Sequence, residues 1–329
     1  MTRITAYLAL LGLVGALAAG DVLPAFASGP PPSNVSPADE PLGPGQQSVT
    51  LNVTYLGDWP DEARQAFAHA AGIWAGRLNS SVAVAISAYW TPMFYSAACE
   101  CQADWVVLNE ALYPAALANA VSGDDRNGAA GEMMVTCNSN RNNWYYGTDG
   151  NPASYEVDLV TVATHELGHG LGLSSLMSVD WQGLGTWDAG GGYPSIYDRF
   201  LADSSGQRLL TTYPSPSTEL AAQLTSGAVY FGGPHATAAN GGAMPKLYAP
   251  AEWRQGSSIA HLDAATYQGT SNALMTPTLE AGEARHEPGA VALGMLQDLG
   301  WAVKAPPPPL PPGMDETQFL PLVLSFRAG

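Results

Sequence analysis

Cysteine, basic residues, histidine and long apolar runs are all scarce in this 329-residue chain. Its three cysteines, Cys99, Cys101 and Cys137, are too few for a disulfide scaffold and one short of the four ligands of a closed zinc site. A single structural disulfide joining Cys137 to Cys99 or to Cys101 is expected, with the remaining thiol spare. Twelve lysines and arginines stand against 29 aspartates and glutamates, a formal charge of −17. That balance argues against nucleic acid or an anionic membrane surface as a partner. One apolar run, Ala6 to Ala19, follows Arg3 and falls short of the ~20 residues that span a bilayer. Ala25-Phe26-Ala27 then gives the small-x-small pattern of a signal-peptidase site, so residues 1–27 read as a secretory signal. No later stretch is long and apolar enough to span a membrane, and an exported, soluble, monomeric product is expected.

Residues 28–47 are rich in proline, serine and glycine and read as a leader without a core. Val49, Leu51, Val53 and Tyr55 alternate with polar residues, which predicts a half-buried strand. Pro60 and Asp61 open a helix with Phe67, Ala71, Trp74 and Leu78 on one face, His69 lying off it. Val82, Val84, Ile86 and Ala88 make a second strand, and the strand-helix-strand order predicts a parallel pair with the helix crossing over. Short strands are expected at Trp105–Leu108 and Met133–Thr136. Between them, residues 122–131 form a polar loop, read as a solvated acidic turn because Asp124, Asp125 and Asn127 lack the full ligand series of a calcium site. The segment 138–152, with Trp144, Tyr145 and Tyr146 in a row, serves either as a cleft wall or as a cover for the core edge.

Beyond Gly172 the pattern loosens into Gly- and Pro-rich segments, with a strand or hairpin expected near residues 197–210; this reads as an irregular lobe. Helical order returns over Pro288 to Leu299, with Ala292, Met295, Leu296 and Leu299 on one side and Gly300 as the stop. From Lys304 the chain is a polyproline linker, and Phe319–Leu324 is an apolar segment read as a packed edge or a surface-retention signal.

Within Val160 to Leu173 (VTVATHELGHGLGL), His165 and His169 stand four residues apart. On a helix that separation is about 40° around the axis, so both imidazoles can face one zinc ion, with Glu166 about 100° away beside it. Val160, Ala163, Leu167 and Leu171 form the buried stripe on the opposite face. A catalytic zinc takes three protein ligands and keeps an open position, so a third ligand is required. Ser175 occupies the shortest spacing for it, and a neutral hydroxyl is a poor zinc ligand. Asp188, in Gly185-Thr186-Trp187-Asp188, resembles the G-T-x-D ligand motif of the aspzincins but lacks the Tyr-Gly that follows there. His261 is followed by Leu274-Met275-Thr276-Pro277 and then by ALGMLQDLGW at Ala292 to Trp301; His235 and His286 have no such sequel.

This last order resembles the leishmanolysin-type metzincins, in which a long insertion separates the H-E-x-x-H-x-x-G helix from the third histidine, followed by a methionine turn and a closing helix. The resemblance covers roughly Asp158 to Trp301. It implies an α+β, metzincin-like fold: an upper lobe (48–172) with a twisted mixed sheet and two helices, and an irregular lower lobe (173–303) with a Met-turn and closing helix, the tail being 304–329. It implies zinc held by His165, His169 and His261, with Glu166 as general base, Gly172 allowing the turn beneath the helix and Met275 as the apolar floor. The implied activity is that of a secreted zinc endopeptidase acting on a protein or peptide substrate. The chain departs from the family in lacking its dense disulfides and a leader cysteine that could hold a zymogen inactive. The competing reading is a secreted, non-catalytic binding or adhesion protein on a peptidase-like scaffold; Glu166 favours chemistry, because a structural zinc site needs no general base.

Overall fold

Alternation between polar and apolar residues builds the first strand, β1 (Leu51–Gly57), and the stricter alternation that follows builds β2 (Val84–Thr91), which buries every second residue from Val84 to Trp90. The computed structural model describes residues 47–93, 98–188 and 191–304; the expected signal, nearly all of the leader and the tail with Phe319–Leu324 lie outside the described residues. β1 and β2 pair in parallel with Val53 opposite Ile86, and α1 (Asp61–Ala75) makes the crossover that a parallel pair requires, with Phe67, Ala71 and Trp74 buried. The edge strand β3 (Cys99–Ala103) runs antiparallel to β4 (Met133–Asn138), which lies parallel to β2, giving the mixed order β1-β2-β4-β3.

Register decides the disulfide. Asn138 N–H bonds to Ala98 O and Asp104 N–H to Glu132 O, so the even-numbered residues of β3 form the hydrogen-bonded pairs and Cys99, Cys101 and Ala103 the closer, non-bonded ones. Cys99 faces Cys137 at a Cα–Cα distance of 4.0 Å and is bonded to it, whereas Cys101 faces Val135 and stays a thiol. The bridge closes a 38-residue separation, and Cys99→Ser/Cys137→Ser is expected to lose about 3–4 kcal/mol of stability. Urea titration of the double variant checks this.

Helix α3 (Leu159–Leu171) carries the HELGH motif. Its N-cap, Asp158, accepts from Thr161 N at 2.6 Å, and the expected stripe of Val160, Ala163, Leu167 and Leu171 is fully buried. Trp74 Nε1 donates to Thr164 O at 2.8 Å, tying α1 to α3, and Trp301 Nε1 donates to Leu171 O at 2.7 Å, capping the helix from the far end of the chain. The closing helix α5 (Gly289–Leu299) buries Ala292, Met295, Leu296 and Leu299 as its pattern predicts. Asp298 accepts from the backbone N–H groups of His235 and Ala236, which docks the first turn of α4 (Pro234–Ala239) on α5.

The structure is thus a mixed α+β fold. It differs from the sequence reading in several places. Leu78, expected on the face of α1, lies beyond that helix, which ends at Ala75, and pairs with Val303 in a short strand; the edge strand β3 is not among the strands expected. The Ala-rich segment Ala115–Ser122 forms α2, behind a small antiparallel hairpin of Trp105–Leu108 with Ala111–Pro114 that stands apart from the main sheet. Residues 197–210 do form a short hairpin, with Ala202 bridged antiparallel to Arg208 and Asp203 N bonded to Gln207 O after a 3-10 turn at Asp198–Phe200, but Leu201–Ala202 also pairs with Tyr230–Phe231, a partner that local pattern does not reveal. In the loop 122–131, Asp125 accepts from Asn127 N and Gly128 N, and no metal-ligand cluster forms there among the described residues. Trp144 is buried over the core edge, donating to Asn138 O, while Arg141 and Asn143 line the cleft, so the 138–152 segment does both jobs proposed for it.

Candidate metal centre

His165 and His169 project from the polar face of α3, and His261 arrives from the loop that precedes the Met275 turn; each offers a nitrogen within 4.8 Å of the others. The Nε2 atoms lie 3.0 Å (His165–His261), 3.0 Å (His165–His169) and 3.2 Å (His169–His261) apart. Each Nδ1 faces a backbone carbonyl: Leu274 O for His165 at 2.8 Å, Leu173 O for His169 at 2.6 Å and Ser257 O for His261 at 2.8 Å. A carbonyl only accepts, so every Nδ1 carries the proton and every Nε2 presents a lone pair. Three converging lone pairs with no hydrogen between them repel one another, and a cation among them removes the conflict. The triangle also suits zinc, for which ligand nitrogens on a tetrahedral edge stand about 3.3 Å apart. The donor set therefore fits a metal ion.

Burial reinforces this state. It drives His165 down to about 3, with a further push from His169, and lowers His169 and sends His261 well below the ordinary histidine value, so the imidazoles are neutral near pH 7. Glu166 keeps part of its surface open to the cleft, yet the protein packed around its carboxylate pushes it up to about 8; Glu100 adds repulsion and the Cys101 backbone N–H pulls the other way. A dication in the triad opposes that rise.

Gly172 has φ +135°, a conformation that an L side chain resists, and it turns the chain back so that Leu173 O meets His169. The next serines do not ligate: Ser175 donates to the buried Asp198 at 2.5 Å, and Leu176 N donates to the same carboxylate. Burial holds Asp198 up at about 6 against these hydrogen bonds. Met275 lies buried beneath α3, its sulfur 3.0 Å from where a Cβ on Gly168 would stand. Asp188 stays away from the cluster: its exposed carboxylate accepts from Gly191 N and Gly192 N in its own loop. His286 binds the α3 cap Asp158 at 2.9 Å, and His69 is exposed beside it. His235 uses its backbone to bind Asp298.

Sequence reasoning did not identify Glu100, Cys101 or Arg285 at the site, nor the close packing at Gly168 and Gly170. Glycine inside a helix costs about 1 kcal/mol relative to alanine, and that cost was the available signal. A Cβ on Gly170 would lie 2.5 Å from the Met133 sulfur and 2.9 Å from that of Cys101. Gly170→Ala is therefore expected to lower the melting temperature, the ~1–3 kcal/mol of overpacking outweighing the gain in helix propensity. A thermal melt of the variant checks it.

The triad opens into a cleft of about 1450 Å³ bordered by β3, by Ser174–Met177 and by the segment after Met275. No helix among the described residues is long and apolar enough to cross a membrane. These features define the class: an α+β protein with a three-histidine candidate metal centre in a large cleft. No protein-family model and no curated protein sequence matches the chain.

Proposed function

We propose that the chain is a secreted zinc endopeptidase of the leishmanolysin-like metzincin kind, in which residues 48–303 form the metallopeptidase domain, with lobes 48–172 and 173–303. The observation that carries this reading is the convergence of three unprotonated Nε2 atoms, with the Glu166 carboxylate beside them at the open edge of a sheet. His165, His169 and His261 would hold the zinc, which when bound would supply a Lewis acid able to acidify water and polarise a carbonyl oxygen. Glu166 takes the proton from the attacking water and delivers it to the leaving nitrogen. Gly172 and Met275 set the turn and the floor of the site.

The cleft supports a peptide substrate. The N–H and C=O groups of Cys99 and Ala103 point away from β4 and meet no backbone partner among the described residues, so this edge of β3 is one to which an extended chain can add. Glu166 already receives the Cys101 N–H on that edge, so the proposed base would lie alongside an added strand. The Cys99–Cys137 disulfide agrees with export to an oxidising compartment.

The test is incubation of the zinc-loaded chain with an unfolded protein. Fragmentation that a chelator stops and added zinc restores is the expected result. Zinc bound at full stoichiometry with no cleavage of any unfolded protein would favour the non-catalytic binding module instead.

A further inference from the structure

The turn that carries Met275 bonds to one histidine ligand, His165, and to the chain neighbour of another, His261, and one side chain holds that turn in place. Thr276 N bonds back to Ala273 O at 3.1 Å, closing the turn around Leu274 and Met275. From it, Leu274 O accepts the His165 Nδ1 proton, and Met275 O accepts from the N–H of Leu262, the neighbour of His261. Arg285 braces the same turn. Its Nη1 donates to Ala273 O at 3.1 Å, Thr276 Oγ1 at 2.8 Å and Thr278 O at 2.9 Å, and its Nη2 pairs with Glu283. Its backbone N–H donates to Thr161 Oγ1, in the first turns of α3, at 2.7 Å.

We infer that Arg285 is a positioning residue of the metal centre: it clamps the 273–278 turn against α3 and so fixes the carbonyl that orients His165. The inference rests on reading the triad as a metal site. Arg285 borders the cleft, where an arginine would ordinarily be taken for a substrate-binding group. Two observations point away from that role. Only 10 % of its side chain is exposed, and both terminal nitrogens are committed to protein acceptors. A planar fork can serve the turn and Glu283 together; a lysine ammonium is a single point on a flexible stem. Groups that orient metal-ligating histidines typically affect metal affinity by 10–100-fold, and here the orienting group is a backbone carbonyl, so the residue that fixes the backbone takes over that influence.

The experiment compares wild type, Arg285→Met and Arg285→Lys by competition for zinc against a chromogenic chelator, and by ¹⁵N spectra of the imidazoles in the metal-free chain. The expected result is a fall in zinc affinity of about 10–100-fold for Arg285→Met and a smaller fall for Arg285→Lys. His165 should show one tautomer in wild type and a mixture in Arg285→Met, with unchanged far-UV circular dichroism. Loss of a merely structural contact would lower the melting temperature without moving the tautomer. Wild-type zinc affinity and a single His165 tautomer in folded Arg285→Met would overturn the inference; if that variant does not fold, wild-type affinity in Arg285→Lys does so. A wild-type chain that takes up no zinc defeats the metal-centre reading itself, while the metal-free spectra still judge the clamp.

Discussion

His261→Ala protein, dialysed against zinc and then buffer, is expected to retain far less than one ion per chain, with affinity reduced by more than about 100-fold. Loss of an orienting partner alone costs 10–100-fold, and this substitution removes a ligand. His261 sits 3.0 Å and 3.2 Å from the other two Nε2 atoms; without it, two neutral imidazoles on α3 remain, with no third nitrogen to complete the set. The matched control is Asp188→Ala, which should keep full stoichiometry because that carboxylate is spent on Gly191 and Gly192. Metal analysis of the two variants side by side decides between the ligand sets. Zinc retained without His261 and lost without Asp188 would remove the basis for the leishmanolysin-like reading.

Glu166→Gln should separate binding from chemistry. The variant is nearly isosteric, and its amide oxygen can still accept the Cys101 N–H that the carboxylate accepts, so the fold and the zinc content are expected to persist. An amide cannot take a proton from water. Turnover on an unfolded-protein substrate is therefore expected to fall by about 10²–10⁴-fold, the usual contribution of a general base. Metal content measured on the same sample guards against a trivial loss of zinc. Turnover within tenfold of wild type, with zinc in place, would assign the proton transfer to another group.

Much of this site was written in the order of side chains. The four-residue spacing of His165 and His169 required a helix to be useful, and the buried stripe on its other face identified one. His261 stood out because Met275 and the closing helix follow it, and the structure brings its nitrogen to the other two. What stayed illegible is carried by backbone and by register. Leu274, Leu173 and Ser257 act through their carbonyls, a group every residue possesses, so no letter in the sequence marks them. The choice of Cys99 over Cys101 depends on a two-residue difference of register in an antiparallel ladder that neither strand encodes alone. Residues 201–202 find their partner at 230–231, across a segment without periodicity. Arg285 had a visible oddity, a lone cation between Glu283 and Glu287, but the acceptors that use it lie in a turn whose position depends on the whole lower lobe.

The composition of α3 has a consequence for where the site can exist. Val160, Thr161, Val162 and Thr164 are β-branched, and Gly168 and Gly170 follow, so the segment is a weak helix former by intrinsic preference. Its helicity comes from being enclosed by α1, the sheet and α5. A synthetic peptide of residues 160–173 should be largely unfolded and should hold its two histidines in no fixed relation. Grafting the motif onto another scaffold would fail unless that scaffold supplied equally close neighbours. For the proposed zinc site, coordination and global stability would then behave as one thermodynamic property: loosening the packing around this helix should shed the metal, and each increment of metal affinity should return to the fold through mass action.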